Sequence, residues 1–220
     1  MIDKPPSRAL RVRVKTAKRR SKSSAAWLER QLNDPYVRAA KTEGYRSRAA
    51  FKLVEMDEKH RFLKRGQTAV DLGAAPGGWT QVLVERLGEG KVVGADIQDM
   101  DPIPGAKLLK LDFMEDSAPD MIKRELNGLV DTVVSDMASP ATGHRETDHM
   151  RVMALCETAL DFAIEILKPG GTFCCKVLRG GTERQLLETL KKRFQKVIHV
   201  KPPASRADSA EMYVLATGFR

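Results

Sequence analysis

The stretch Thr68-Ala-Val-Asp-Leu-Gly-Ala-Ala-Pro-Gly-Gly-Trp-Thr80 leaves the chain few ways to fold. Ala69, Val70 and Leu72 form a short apolar run suited to a parallel strand buried on both faces. Gly73, Gly77 and Gly78 then permit a sharp turn, and Trp79 to Leu87 reads as a helix. A strand, turn and helix in that order offers backbone N–H groups at a helix N-terminus to a ligand. The spacing is Gly-x-x-x-Gly-Gly, without the middle glycine that lets a dinucleotide pyrophosphate approach the backbone in Gly-x-Gly-x-x-Gly. It predicts a nucleoside ligand lacking a diphosphate and disfavours a nicotinamide-linked oxidoreductase. A tight turn with no ligand is the alternative for this stretch taken alone.

Charge separates the chain into two parts. Residues 1–52 hold fifteen Lys and Arg against four Asp and Glu, a balance of +11, and residues 53–220 balance at −2, which together make the net +9. No acidic residue interrupts the basic ones from Arg8 to Lys22. Residues 1–25 are therefore expected to be a basic arm, mobile when alone, with a polyanion as partner, and nucleic acid fits better than a merely solubilising role. No apolar run of 18 residues is present, and the N-terminus lacks a secretory h-region, so a cytosolic protein is expected. Cys156, Cys174 and Cys175 lie in apolar segments without a CxxC pair and are expected to be reduced core residues.

Helical patterns run from Ala25 to Asp34 and from Arg46 to about Phe62, the second carrying Arg46, Arg48 and Lys52. After the glycine turn, Lys91–Asp96, Ala106–Asp112 and Leu129–Asp136 read as three further strands that each end in an acid. Carboxylates at the carboxyl ends of parallel strands face the ligand edge of an open sheet. There Asp96 is placed for the two hydroxyls of a ribose and Asp112 for a base; helix capping and turn formation are the alternatives for each acid singly. Thr147 to Lys168 reads as a long helix, Thr172–Leu178 as a fifth strand, Thr182 to Phe194 as a helix, and Lys196–Val200 and Glu211–Thr217 as an antiparallel hairpin at one edge. Lys176 interrupts the apolar fifth strand, and a buried Lys is costly unless it is paired or used.

These features resemble the class I S-adenosylmethionine-dependent methyltransferases, and in detail the RrmJ/FtsJ family of ribose 2′-O-methyltransferases. The resemblance rests on Tyr45-Arg-Ser-Arg-Ala-Ala-Phe-Lys-Leu53, Asp71-Leu-Gly-Ala-Ala-Pro-Gly-Gly-Trp79, Asp136-Met-Ala, Lys176-Val, Ser205-Arg and Glu211-Met-Tyr. It implies an α/β, Rossmann-like fold: a seven-stranded, mostly parallel sheet with an antiparallel C-terminal edge hairpin, helices on both faces, and residues 26–220 as the methyltransferase domain. It implies a catalytic tetrad of Lys52, Asp136, Lys176 and Glu211, with Lys176 as proton acceptor. It further implies S-adenosylmethionine as cofactor, met by Gly77, Trp79, Asp96, Asp112 and Asp136, no metal, and ribosomal RNA of the large subunit as partner, with a uridine as the methylated nucleotide. Transfer RNA and mRNA caps stay open as substrates, as does a non-catalytic ribosome-binding or RNA-chaperone protein on the same fold.

A Lys can take a proton from a ribose hydroxyl only if its own pKa of about 10.4 is lowered; desolvation beside a second cation, Lys52, is expected to do that, with Asp136 and Glu211 opposing, so that a general base and a group that only steers the hydroxyl's lone pair both stay open for Lys176. The sequence departs from the family pattern after Asp136, where Met-Ala-Ser139-Pro140 runs on to His144 and His149; these two are read as surface or substrate contacts, not metal ligands. A base-amine methyltransferase would want an Asn/Asp-Pro-Pro-aromatic loop at this place, and a base-carbon methyltransferase a nucleophilic cysteine.

Overall fold

The computed structural model describes Arg13, Thr16, Arg19 and residues 21–139, 142–179 and 184–220. Most of the expected basic arm thus lies outside the described residues. The elements run α1 (Lys22–Asn33), α2 (Pro35–Glu43), α3 (Ala50–His60), β1 (Thr68–Leu72), α4 (Gly78–Leu87), β2 (Lys91–Asp96), β3 (Ala106–Lys110), α5 (Ala118–Leu126), β4 (Val130–Ser135), α6 (Arg145–Ile166), β5 (Leu167–Leu178), α7 (Arg184–Arg193), β6 (Phe194–Val200) and β7 (Glu211–Phe219). Helix α1 starts after a Ser21 cap and so runs across the 25/26 boundary between the expected arm and domain. Among these helices none is long and apolar enough to cross a membrane.

The strands form one sheet in the order β3-β2-β1-β4-β5-β7-β6. β1 pairs in parallel with β2 on one side and β4 on the other, so the strand order reverses at β1/β4, where open α/β sheets bind ligands beyond their carboxyl ends. The register Leu72↔Ser135 sets Gly73 and Asp136 side by side just past that switch point. β7 is inserted between β5 and β6 and is antiparallel to both, which gives the expected C-terminal hairpin.

Alternation along each strand sorts the core into two layers. Val70, Leu72, Phe173, Cys175 and Val177 pack with Ile122, Met153, Leu160 and Leu186 of α5, α6 and α7. Ala69, Cys174 and Leu215 pack on the other side with Leu53, Met56, Trp79 and Leu83 of α3 and α4. Lys176, two residues beyond Cys174, therefore points to the α3 side, where Lys52 sits.

Four local features differ from the sequence expectation. The helix expected from Arg46 begins only at Ala50, because Arg46 is drawn into tertiary bonds: its backbone N–H donates to Gln81 Oε1 at 2.8 Å and its guanidinium donates to the carbonyls of Pro76, Asp101 and Pro102. Helix α2 was not anticipated; Asp34 caps it by accepting from the Tyr36 N–H at 3.0 Å, with Pro35 in its first turn. α5 is likewise absent from the sequence expectation. β5 starts at Leu167, not Thr172, and carries a register irregularity against β4 between those two residues, opposite Val130 and Thr132.

At Gly73 the backbone is left-handed, with φ +70°, and an added Cβ would lie 2.1 Å from Met137 Cγ. Gly73→Ala should lower stability by about 1–3 kcal/mol, from the left-handed conformation and from overpacking. Met137→Ala made in addition should return the overpacking part only. Urea unfolding checks this, and an unchanged midpoint for the single variant would refute it.

Candidate active site

The glycine turn spends its own amides. Gly73 and Ala74 N–H both donate to the Ala95 carbonyl, at 2.9 and 3.1 Å, and Gly77 N–H donates to Ala74 O at 2.6 Å. Ala75 N–H donates to Asp96 Oδ2 at 2.9 Å. These four amides are therefore not free to cradle a diphosphate. Asp96 also accepts from Gln98 N–H at 2.8 Å, and Asp112 Oδ1 from Met114 N–H at 2.9 Å. Asp96 ends β2 and Asp112 lies just past β3, both on the carboxyl edge, and Leu111 N–H bonds Asp96 O between them.

A small cleft opens between this turn and the end of β4, lined by residues that include Ser47, Gly73, Pro76, Gly78, Trp79 and Asp136. Trp79 is buried, its indole N–H on Ala49 O at 2.8 Å and its ring 5.5 Å from that of Tyr213. Gly77 faces Ile103 and Arg46. Asp71, inside β1, accepts from the Thr80 hydroxyl at 2.7 Å. Burial, opposed by that hydroxyl and reinforced by Asp136 and Asp96, pushes its carboxyl up to about 7.

Asp136 forms one wall of the cleft and one corner of a four-charge cluster. Lys52 Nζ lies 3.2 Å from Asp136 Oδ2 and 2.8 Å from Glu211 Oε2; Lys176 Nζ lies 2.6 Å from Asp136 Oδ1 and 3.6 Å from Glu211 Oε2. Lys176 also donates to the Asp136 carbonyl at 2.7 Å. Two residues that sequence reasoning did not assign to the site complete it. The Tyr213 hydroxyl donates to Asp136 Oδ1 at 2.6 Å and the Ser205 hydroxyl to Glu211 Oε1 at 2.7 Å. Tyr213 was within reach of a pattern argument, since it follows Glu211 at strand period 2 and so shares its face; Ser205 comes from a loop that only folding brings near.

The charge state of Lys176 departs from expectation. Burial by itself pulls the ammonium down, but the Asp136 and Glu211 carboxylates carry it above its ordinary value, where a lowered one was anticipated. Those two acids outweigh the effect expected of Lys52. Glu211 responds in the opposite sense: burial disfavours its charge, yet Lys52, Lys176 and the Ser205 hydroxyl bring it down to about 2. The cysteines supply no nucleophile here, since all three are buried and free and burial pushes the Cys174 thiol well up. Among the described residues no group of three or more His, Cys, Asp or Glu is placed to hold a metal ion.

The model of the FtsJ-like methyltransferase family matches residues 45–219. The chain belongs to that family. Relatives named ribosomal RNA large subunit methyltransferase E include one from Parvibaculum lavamentivorans, 62% identical over 97% of this chain and 89% of its own length. Another, from Paramagnetospirillum magneticum, is 61% identical over 97% of this chain and 90% of its own. A crystal structure described as a ribosomal RNA methyltransferase from Plasmodium falciparum superposes with a TM-score of 0.71 at 33% identity, covering 80% of this chain and 98% of that one. The Clostridium thermocellum structure described as an rRNA methylase, at 22% identity and a TM-score of 0.52, shares the fold.

Within this FtsJ-like methyltransferase the Glu211 shift carries a pH signature. Its carboxyl titrates at about 2 when folded against an ordinary 4.5, so its contribution is complete above pH 4.5 and fades as the pH falls toward 2. The contribution is on the order of 3 kcal/mol. Unfolding free energy measured across that window should fall less steeply in Glu211→Gln than in wild type. Parallel slopes would refute the coupling.

Proposed function

We propose that this protein transfers a methyl group from S-adenosylmethionine to a ribose 2′-hydroxyl of large-subunit ribosomal RNA, with a uridine as acceptor. The observation that carries the proposal is the double role of Asp136, which walls the glycine-turn cleft and is also held by Lys52, Lys176 and Tyr213. A ligand seated on the turn would abut the charge cluster. The names of the relatives at 61 and 62% identity support ribosomal RNA as the substrate class, and the +11 balance of residues 1–52 suits a polyanion.

The turn suits a nucleoside cofactor without a diphosphate, because the Gly73, Ala74, Ala75 and Gly77 amides are bonded internally. In this reading the backbone at Gly77 and Trp79 and the carboxylates of Asp96, Asp112 and Asp136 would hold it, with Asp96 at the ribose hydroxyls and Asp112 at the base. When bound, S-adenosylmethionine supplies an electrophilic methyl on a sulfonium that leaves as a neutral thioether. The protein's own task is then to place the acceptor oxygen in line and to receive its proton. Lys52 and Glu211 fix Asp136 and Lys176, and Lys176 presents an N–H to the oxygen or takes its proton. The raised pKa of Lys176 supports the orienting role in the free protein, since a charged ammonium must first give up a proton before it can accept one.

Lys176→Ala should slow single-turnover methyl transfer by about 10²–10⁴-fold while leaving cofactor affinity, read by calorimetry, intact. Lys176→Arg keeps the charge but cannot deprotonate, so turnover within about threefold of wild type would rule out the proton-acceptor role. Wild-type turnover by Lys176→Ala would remove the tetrad from the mechanism. The product itself is identified by digesting RNA labelled with tritiated S-adenosylmethionine: 2′-O-methyluridine is expected, and a base-methylated nucleoside would overturn the reading.

Removal of residues 1–20, which ends before the Ser21 cap, should weaken RNA binding without moving the methylated position. If about five of its Lys and Arg meet phosphate, the log–log salt slope should flatten by roughly 3 to 4 units. An unchanged slope would show the arm to be inert, and a moved site would make it a specificity element.

A further inference from the structure

Glu211 is gripped from two sides, and both grips trace back to α3. Lys52 holds Oε2 directly at 2.8 Å. Ser205 holds Oε1 at 2.7 Å, but Ser205 lies in the connection between β6 and β7, so its hydroxyl can aim only if that connection is seated. Glu55, three residues after Lys52 and on the same side of α3, supplies the seat. Its Oε2 accepts from the Ala204 N–H at 2.6 Å, one residue before Ser205. Its Oε1 accepts from the Tyr36 hydroxyl at 2.8 Å, and burial together with that bond pushes the tyrosine well up, so the phenol stays a donor.

The same loop residue is held by its other backbone group. Arg48 donates to the Ala204 carbonyl, pairs with Asp34 through Nε at 3.0 Å, and stacks its guanidinium 5.6 Å from the Tyr36 ring centre. Asp34 in turn lies 3.6 Å from Arg206 Nη2 and caps α2. Ala204 is fully buried among Ala40 and Phe51. Its donor is thus satisfied by a carboxylate and its acceptor by a guanidinium, both charge-assisted bonds of the stronger kind. A buried N–H left without its acceptor is costly, so loss of Glu55 should displace the loop.

We propose that Glu55 is a positioning residue for methyl transfer: by seating Ala204 it aims the Ser205 hydroxyl at Glu211 and so keeps Glu211 oriented on Lys52 and Lys176. Glu55 touches none of the four charged residues itself and acts through the loop. This deepens the methyltransferase reading and rests on it. It also gives the N-terminal helices a part in catalysis, because Asp34, Tyr36, Arg48 and Glu55 close one bonded circuit from α2 and α3 to the connection before β7.

The test compares Glu55→Ala, Ser205→Ala and the double variant in single-turnover methyl transfer. S-adenosylmethionine affinity is measured by calorimetry, and backbone hydrogen exchange of residues 201–210 is followed in the same preparations. Glu55→Ala should transfer about 10- to 100-fold more slowly at unchanged cofactor affinity, with faster exchange in that segment; the size is that of a lost orienting group acting at second hand. Because both residues act through one contact, the double variant should be no slower than Ser205→Ala by more than about twofold. Glu55→Gln should keep near-normal transfer, since its amide oxygen can accept from Ala204 while its NH2 donates to Tyr36. A merely stabilising Glu55 would lower the melting temperature and leave transfer at saturation unchanged, and that outcome overturns the proposal. Multiplying effects in the double variant overturn it too. Should Glu55→Ala fail to fold, Glu55→Asp, one methylene too short to reach both partners, is held to the same outcomes. Wild-type protein without methyl transfer would count against the functional reading alone, and the exchange of residues 201–210 then decides the seating: unaltered exchange in Glu55→Ala sinks it.

Discussion

Everything at the carboxyl edge of the sheet depends on the pairing of two lysines with two carboxylates around Asp136. Lys176 is 7% exposed and would be costly alone in an apolar strand. With Asp136 Oδ1 at 2.6 Å and Lys52 balancing the second negative charge, the cluster is neutral as a whole. Such clusters contribute little net stability, because desolvation offsets most of the attraction, yet removal of one member leaves an uncompensated buried charge worth about 3–5 kcal/mol. The fold therefore tolerates the tetrad and does not need it, which points to chemistry as the reason for its presence.

The cluster also constrains how the layers meet. Lys52 belongs to α3, Asp136 to the residue after β4, Lys176 to β5 and Glu211 to β7. Their convergence requires α3 to pack on the face that carries Cys174 and Tyr213, as Leu53 and Met56 do. Trp79, wedged between α3 and Tyr213, ties the glycine turn to the same layer. The glycine turn and the charged cluster are thus two ends of one packed unit, joined by Asp136.

The direction of the Lys176 shift shows how proximity to opposite charge can reverse an argument from burial. Burial and a neighbouring cation both favour a neutral amine and the two acids oppose them, and residue order gives the sign of each influence but not which prevails. Two carboxylates, one at 2.6 Å and one at 3.6 Å, prevail over both. The identities of the four residues were legible; the balance among them was set by distance.

By itself the sequence determined the strand, glycine turn and helix at Thr68 to Leu87, the acids that end the strands, the cation inside β5 and the edge hairpin, because all of these are local patterns of period and turn chemistry. It also carried the family's motifs, from which Lys52, Asp136, Lys176 and Glu211 were expected to act together. Tertiary structure decided the rest. It started α3 at Ala50, because Arg46 finds carbonyls at Pro76, Asp101 and Pro102 that are distant in sequence. It inserted β7 between β5 and β6, since strand order depends on which edge is free when the last strands arrive. It brought Ser205 to Glu211, and Glu55 to the Ala204 N–H beside Ser205, through a loop whose path no periodicity encodes, and it gave Lys176 its charge, because a Coulomb interaction depends on separation and burial, neither of which is written in residue order.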